Sequence, residues 1–474
     1  MKKEFQLALL FILGSIFLRF FSFFPAELDH DESTYMIIAN EILHGKKLYT
    51  DVTDTKPVGI FLLYALLQTV FGYSIFLKRL FAALIVGLTS YLLSKVARRL
   101  FNDRSSGIAA GIIYIFYTSM WIYFGLSPNT ELYFNLCTIS GLLLFLRKSN
   151  WTFLLGGLMM GIGFMFKYLV LFDFAAFMLY FLLVELIREK RKIQFNLLVP
   201  YILAGFAFLT PFLLTAFYFY AKGRFADFYF ISFELPGLYK DNSSPFSFWI
   251  LLADLLGRFL PITVFLAFVV FKKHSLIEKS LKLFFIFWIL AILVAIYLPG
   301  KAFSHYAIQL MLPFSLLAGV FFHAEFKQKG WLTKVVHGKT GILVLSSLIV
   351  LIQLFSFIEN VAKPDSFRQV ASYLKKNLNE NETLFVSNYE PIIYYLLEQP
   401  SPTKYVHSSL LFSDLHKVFK LDQSAEVERI IDTNPKFVLV QYENKLVEEI
   451  IRKNYFLACT FRNNEILIYQ RNNQ

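Results

Sequence analysis

Apolar runs of about 20 residues alternate with short polar connections along the chain. A run of that length can cross a bilayer core about 30 Å thick at 1.5 Å of rise per residue. About eleven such runs fall at roughly 5–24, 78–97, 107–124, 131–147, 151–166, 168–186, 197–220, 247–270, 281–298, 304–322 and 340–360. Only a short polar break at Lys167 divides the fifth from the sixth. The first run follows a basic start and has no small-x-small cleavage site, so it is expected to remain as a first transmembrane helix. Two shorter patterns lie between the first two spans. "ESTYMIIANEILHG" sets Tyr35, Ile38, Ala39 and Ile42 at helical spacing before Gly45, which predicts a short amphipathic helix on the membrane surface. "VGIFLLYALLQTVFG", after Pro57, is short for a span and predicts a second interfacial or re-entrant helix.

From about residue 361 the pattern changes. "SFRQVASYLKKNLNENETLFVSNYEPIIYYLLEQP" predicts helix, strand, helix, and "KFVLVQY", "YFLACTF" and "EILIYQR" predict further strands around the helix "KLVEEIIRKN". The chain therefore divides into a transmembrane domain over 1–360, with a first loop at 25–77, and a small α/β domain over 361–474. No G-x-G-x-x-G follows a strand of the second domain, so nothing there suggests a nucleotide site.

Composition agrees with the spans. The 474 residues are 57% hydrophobic, 18% aromatic and only 17% charged, against about 45–50% apolar and 25% charged in an ordinary soluble domain. The net charge of +12 is not a nucleic-acid surface, because the basic residues sit in short clusters between apolar runs. With the N-terminus in the cytoplasm, the Lys/Arg-rich connections "ARRLFNDR", "LRKSN", "REKRKIQ", "FKKHSLIEKSLK" and "KQKGWLTKVVHGK" all fall inside. The loop 25–77, the turn at Lys167, "PGKAFSH" and everything after about 361 then fall outside. The expectation is a multi-pass protein of the cell's inner (plasma) membrane with its C-terminal domain extracytoplasmic. Cys137 and Cys459 form no disulfide framework.

The outer side collects the unusual residues. Asp29 or Asp31 suits the N-cap of the first-loop helix, or serves as a general base for an acceptor hydroxyl or amine. His30 and His44 could add ligands for a divalent cation, but Asp-His-Asp without a second compact cluster is weak evidence for a metal. Lys56 before Pro57 is either a snorkelling lysine or a cation for a phosphate leaving group, with Asp51 and Asp54 orienting it. Glu131 either caps a helix start or adds a second acid. Lys167 lies between two apolar runs, where a centrally placed lysine costs about 2.5–3.5 kcal/mol, so it is a functional candidate. His305 and Tyr306 form either an interfacial pair or part of a binding site, with Lys301 adding positive charge nearby. Arg258 interrupts another apolar run. Carboxylates and cations gathered on one side of a helical bundle suit an anionic, lipid-linked donor presented there.

"DHDESTYMIIANEILHGKKLYTDVTDTKPVGIFLLYAL" resembles the first extracytoplasmic loop of the GT-C superfamily, in particular the protein O-mannosyltransferase and aminoarabinose-transferase group. Asp31, Glu32, Tyr35, Gly45, Tyr49, Asp51, Asp54, Lys56 and Pro57 fall on its pattern, while Val58 replaces a usual second proline. "GIGFMFKYLVLF" and "FSHYAIQLMLPFSLLAG" are similar to later motifs of the same group. The resemblance implies a polytopic α-helical GT-C fold and an inverting, metal-independent glycosyl transfer from a polyprenyl-phosphate-sugar, with no cofactor. It implies Asp31 as the catalytic carboxylate, with Glu32 and Asp29 beside it. Lys56, Lys167, Arg258 and Lys301 are candidates for the donor phosphate, and Tyr35, Asp54, Glu131, His305 and Tyr306 for substrate contacts. Lipid, including lipid A, glycan and protein all stand as acceptors. A transporter or flippase of lipid-linked sugars is the alternative, although no internal repeat supports it.

Overall fold

The computed structural model describes residues 2–120, 125–188, 194–238, 249–250, 252–253, 257, 259–260, 262–263, 277–298, 304–323 and 339–472. The expected span 247–270 and the candidates Arg258 and Lys301 fall largely or wholly outside the described residues. From the N-terminus run α1 (Lys2–Arg19), α2 (His30–Leu43), α3 (Val58–Phe71), α4 (Ile75–Phe101), α5 (Arg104–Thr118), α6 (Thr130–Phe145), α7 (Asn150–Phe166), α8 (Val170–Leu183) and α9 (Phe195–Ala221). Among the described residues, six helical stretches are long and apolar enough to cross a membrane: Lys2–Phe23, Ile75–Phe101, Val170–Ile187, Phe195–Ala221, Lys279–Tyr297 and Leu343–Asn377. Shorter apolar helices stand at Thr130–Phe145, Asn150–Phe166 and His305–Val320, where sequence periodicity also predicts spans.

Contacts gather the chain into two compact units. The first comprises Met1–Phe23, Arg79–Lys222 and Lys240–Glu359. The second joins the first loop, Phe24–Lys78, to Gly223–Tyr239 and to Asn360–Gln474. The C-terminal stretch is thus one part of a unit assembled from three separated segments.

The first unit is a helical bundle whose core includes Phe177, Phe284, Phe285 and Trp288. Its outward residues are also apolar, as at Phe5, Leu13 and Phe17 on α1 and Phe206, Leu213 and Phe217 on α9. Exposed apolar surface of this extent suits lipid contact rather than water. Within the bundle α7 and α9 approach closely along Gly157 and Gly161, a small-xxx-small pair. A Cβ at Gly157 would stand 2.2 Å from the Ala204 carbonyl oxygen, and one at Gly161 would stand 2.3 Å from that of Phe208. Capping sets the helix starts: Asp103 accepts from the Ser106 N–H at 2.7 Å ahead of α5, and Ser149 with Thr152 forms a reciprocal box ahead of α7.

Arg19 at the end of α1 is almost fully buried. Its guanidinium donates to the carbonyls of Thr118 at 2.7 Å, Gly125 at 2.7 Å and Leu126 at 2.8 Å. A buried cation needs such partners. These bonds tie down the segment that leads into the first turn of α6.

In the second unit α2 packs on α3 and on the short helix Ile392–Leu396. Every residue from Asp31 to Ala39 is buried. The expected amphipathic surface helix is therefore covered around its whole circumference. Segments remote in sequence supply the cover: the Ala26 N–H donates to Asp365 at 2.7 Å, the Ser401 N–H to Glu41 at 2.8 Å, and the Thr53 N–H to the Lys404 carbonyl at 2.8 Å. By contrast α3 keeps an exposed apolar stripe of Leu62, Leu66 and Val70.

All four predicted strands form: β1 (Leu384–Val386), β2 (Phe437–Gln441), β3 (Tyr455–Phe461) and β4 (Ile466–Arg471), in the order β1-β2-β4-β3. β1 and β2 run parallel, and the other two pairs run antiparallel. Phe437 to Val440 are all buried, as a continuous apolar run in an inner strand requires. Between β3 and β4, Arg462, Asn463 and Asn464 take positive φ, which asparagine tolerates well.

Gly157→Val and Gly161→Val are expected to destabilise the detergent-solubilised protein by about 1–3 kcal/mol, because the obstructing atoms are backbone carbonyls. Gly205→Ala, whose Cβ meets nothing within 4 Å, should leave the thermal midpoint unchanged or slightly raised. Equal midpoints for all three variants would contradict the close α7–α9 contact.

Candidate active site

The candidate residues separate into two clusters, one in each unit. In the second unit Asp29 is the N-cap of α2, and its side chain accepts from the Asp31 N–H at 3.4 Å. This gives Asp29 a structural task and separates it from its neighbour. Asp31 and Glu32 follow in the first turn, and adjacent helix positions point about 100° apart. The two carboxylates consequently enter different surroundings. Glu32 is fully buried and interacts electrostatically with Lys78. Lys78 Nζ in turn donates to the Tyr395 hydroxyl at 2.7 Å, which donates to Gln68 at 2.6 Å.

Asp31 turns instead to Lys56. Lys56 Nζ donates to Asp31 Oδ1 at 2.7 Å and lies 3.7 Å from Asp54 Oδ2. All three side chains are mostly buried, with exposures of 12%, 19% and 2% for Asp31, Lys56 and Asp54. The intervening turn explains how Lys56 gets there. The Tyr49 N–H donates to the Val52 carbonyl at 2.7 Å, Asp51 accepts from the Lys47 N–H at 2.8 Å, and the Tyr49 hydroxyl donates to the Lys56 carbonyl at 2.9 Å. Tyr49 itself takes a positive φ of 71° at the tightest point. Pro57 then opens α3 in extended conformation. Tyr35 is buried against Phe61 and Tyr64, and its ring centre is 5.8 Å from Lys56 Nζ.

Sequence reasoning misses His407. A parallel bridge between Thr53 and Tyr405 brings it beside α2, and its Nε2 lies 3.8 Å from Asp31 Oδ1. Burial and the nearby Lys56 charge lower the imidazole's affinity for a proton, while Asp31 and Asp54 oppose the shift without cancelling it. A lone histidine in "KYVHSSLLF" offers no local signal of this placement, which depends on pairing between distant segments. His30 meets Glu390, and Ser33 donates to Glu27. The donor atoms of Glu27, His30 and Glu390 lie within 4.8 Å of one another, and these engagements already serve them.

In the first unit Lys167, the C-cap of α7, pairs with Glu131 in the first turn of α6. Glu131 is fully buried and also interacts with His305. Lys167 Nζ sits 3.6 Å from the centre of the Tyr306 ring, a close cation–π contact, and His305 packs edge-on against that ring. Four candidates named from three separate motifs thus meet in one cluster. A further buried acid, Asp173, accepts from Trp288 Nε1 at 2.5 Å and Gln309 Nε2 at 2.6 Å. Its position inside an apolar run signals it as clearly as that of Lys167 does.

Residues 55–220 match the profile of the dolichyl-phosphate-mannose-protein mannosyltransferase family. The match includes Lys56, Glu131 and Lys167 and begins after Asp31. The fold is similar to that of ArnT from Cupriavidus metallidurans bound to undecaprenyl phosphate, at 15% identity and a TM-score of 0.65, with 97% of each chain covered. The apo form of that protein aligns at 14% identity and a TM-score of 0.66, again over 97% of each chain. Among curated protein sequences none matches.

Lys56→Gln is expected to destabilise the protein by about 1–3 kcal/mol, because Asp31 and Asp54 lose their buried counter-charge. The double variant Lys56→Gln/Asp31→Asn should recover part of that loss, with a coupling of about 0.5–3 kcal/mol in thermal or denaturant unfolding. Strictly additive losses would show that the pair does not interact.

Proposed function

We propose, on the premise that this chain is a membrane glycosyltransferase of the GT-C superfamily, that it moves a sugar from a polyprenyl-phosphate-linked donor to a lipid, glycan or protein acceptor. Asp31 is the proposed catalytic carboxylate and Lys56 the proposed cation for the donor phosphate. The observation that carries this reading is the buried Lys56–Asp31 ion pair, set beside Asp54 on a motif loop.

The chemistry follows from the pair. In an inverting displacement the acceptor O–H or N–H gives up its proton to Asp31. The acceptor atom bonds to the anomeric carbon, and the bond from that carbon to the phosphate oxygen breaks with its electrons remaining on the phosphate. The base must stand within hydrogen-bond reach of the acceptor, and the departing phosphate must meet a positive charge. Lys56 supplies that charge and lies beside the base. In the other unit Lys167, held by Glu131 and Tyr306, is a second candidate cation by the same reasoning. Glu32 and Asp29, committed to the Lys78 network and the helix cap, are assigned supporting roles. The Lys/Arg-rich connections support an orientation with the N-terminus cytoplasmic and transfer on the extracytoplasmic face of the inner membrane.

Asp31→Asn keeps the size of the side chain and removes the base. In membranes supplied with labelled undecaprenyl-phospho-sugars, it should lower transfer by about 100-fold or more while leaving the protein folded. Full activity in this variant would overturn the assignment. Mass spectrometry of envelope lipids and glycans from a deletion strain identifies the sugar and the acceptor.

A further inference from the structure

The geometry points to His407 as the positioning residue for Asp31: a neutral imidazole, fixed in one tautomer, that directs its Nε2–H at the carboxylate oxygen that Lys56 also holds. This rests on the reading of Asp31 as the catalytic carboxylate and adds to it a residue from the C-terminal part of the chain.

Three observations carry it. First, the tautomer is set by hydrogen bonding. His407 is the N-cap of the short helix Ser408–Phe412, and its Nδ1 accepts from the Ser409 N–H at 3.2 Å. A backbone N–H can only donate, so Nδ1 is the acceptor and the neutral ring carries its proton on Nε2. The Ser409 hydroxyl, 2.7 Å away, is then a second donor to Nδ1. Second, Nε2 faces Asp31 Oδ1 at 3.8 Å. A gap of that size is ordinary before substrate binds, since catalytic hydrogen bonds often tighten only in the complex. Third, the side chain is only 18% exposed and is carried by the Thr53–Tyr405 bridge, the element that also fixes the turn leading to Lys56.

Capping alone accounts poorly for a histidine here, because Asn, Asp and Ser cap helices better. The second ring nitrogen is what those residues lack. The titratable and charged groups around His407 are Asp31 and His30 on α2, Asp54 and Lys56 on the loop, and Glu443 and Lys445 in the cavity that His407 lines. Lys56 is the proposed partner of the donor phosphate. When an anion draws its charge away, the neutral Nε2–H can close on Asp31 and orient it without the full positive charge that would weaken it as a base. Protonated His407 would place that charge beside Asp31, so transfer should decline as His407 gains its proton at acid pH.

The test uses the full-length protein in membranes, with undecaprenyl-phospho-sugar as donor. It compares wild type with His407→Ala, His407→Gln and Asp31→Asn by kcat, KM, thermal midpoint and pH profile. His407→Ala should lower kcat about 10- to 100-fold, as loss of an orienting partner does, with KM for the donor little changed. His407→Gln places an amide N–H near the Nε2 position, so it should recover part of kcat. Glutamine takes up no proton, so the part of the acid limb that reports His407 rather than Asp31 should be missing in this variant. Unchanged kcat in His407→Ala, or equal losses in the two variants, would each overturn the proposal. If Asp31→Asn is inactive and His407→Ala fully active, only the role of His407 fails. If Asp31→Asn is fully active, the reading of Asp31 itself fails.

Discussion

A lysine left at the end of an apolar helix must find a counter-charge, because neither hydrocarbon nor a packed interior solvates it. The protein solves this twice in the same way. Lys56 immediately precedes Pro57 at the entry to α3, and Lys167 closes α7. Each pairs with a carboxylate at the second position of another helix, Asp31 in α2 and Glu131 in α6. The first turn is where a helix's own dipole favours negative charge. A carboxylate held there stays ionised more readily, and the lysine has a fixed partner. The local folding of both units follows from placing these four residues.

That placement draws on segments far apart in sequence. Asp31 is held by the Asp29 cap and by the cover over α2, which includes bonds from the Ala26 N–H to Asp365 and from the Ser401 N–H to Glu41. Lys56 is held by a turn whose next residues pair with Lys404 and Tyr405. The α/β stretch is therefore a working part of the loop's geometry. Its sheet and amphipathic helices supply rigidity, and its connection around residues 401–407 supplies the contact. The groups proposed for catalysis need such support, since a free loop of this length would sample many positions.

How much of this was legible depends on whether a residue's role is local. Lys167 announced itself by the cost of a charge between two apolar runs, and its pairing with Glu131 joins two residues already marked as ionisable at helix ends. The four strands were legible because β-branched and aromatic runs such as "FVLV" have few other uses. The length of α3 told of a helix too short to span. Asp29 was ambiguous because a capping aspartate and a basic one look alike in sequence, and only the hydrogen bond to the Asp31 N–H separates them. The cover over α2 was misjudged for a physical reason: periodicity reports one apolar stripe, while burial of Asp31, Glu32 and Ser33 arises from polar partners brought from elsewhere. Arg19 and His407 were invisible for the same cause, as their partners lie far along the chain, at Gly125 and at Asp31.

Pairing a lysine with a carboxylate before any substrate arrives has a consequence for chemistry. Burying an unpaired ammonium would cost several kcal/mol, and leaving it in water would surround it with solvent to be stripped at each turnover. A lysine held by Asp31 and Asp54 is already desolvated and aimed. In the proposed transfer an incoming phosphate would need only compete for it. As the phosphate gained hold of Lys56, Asp31 would lose its nearest counter-charge and become a better proton acceptor. The same exchange would thus bind the leaving group and raise the basicity of the carboxylate, coupling the base to the presence of the donor. A carboxylate without the lysine would be basic at all times, and a lysine without the carboxylate would be a costly isolated charge. Their adjacency on α2 and the Lys56-Pro57 turn, rather than either residue alone, is what the proposed glycosyl transfer would draw on.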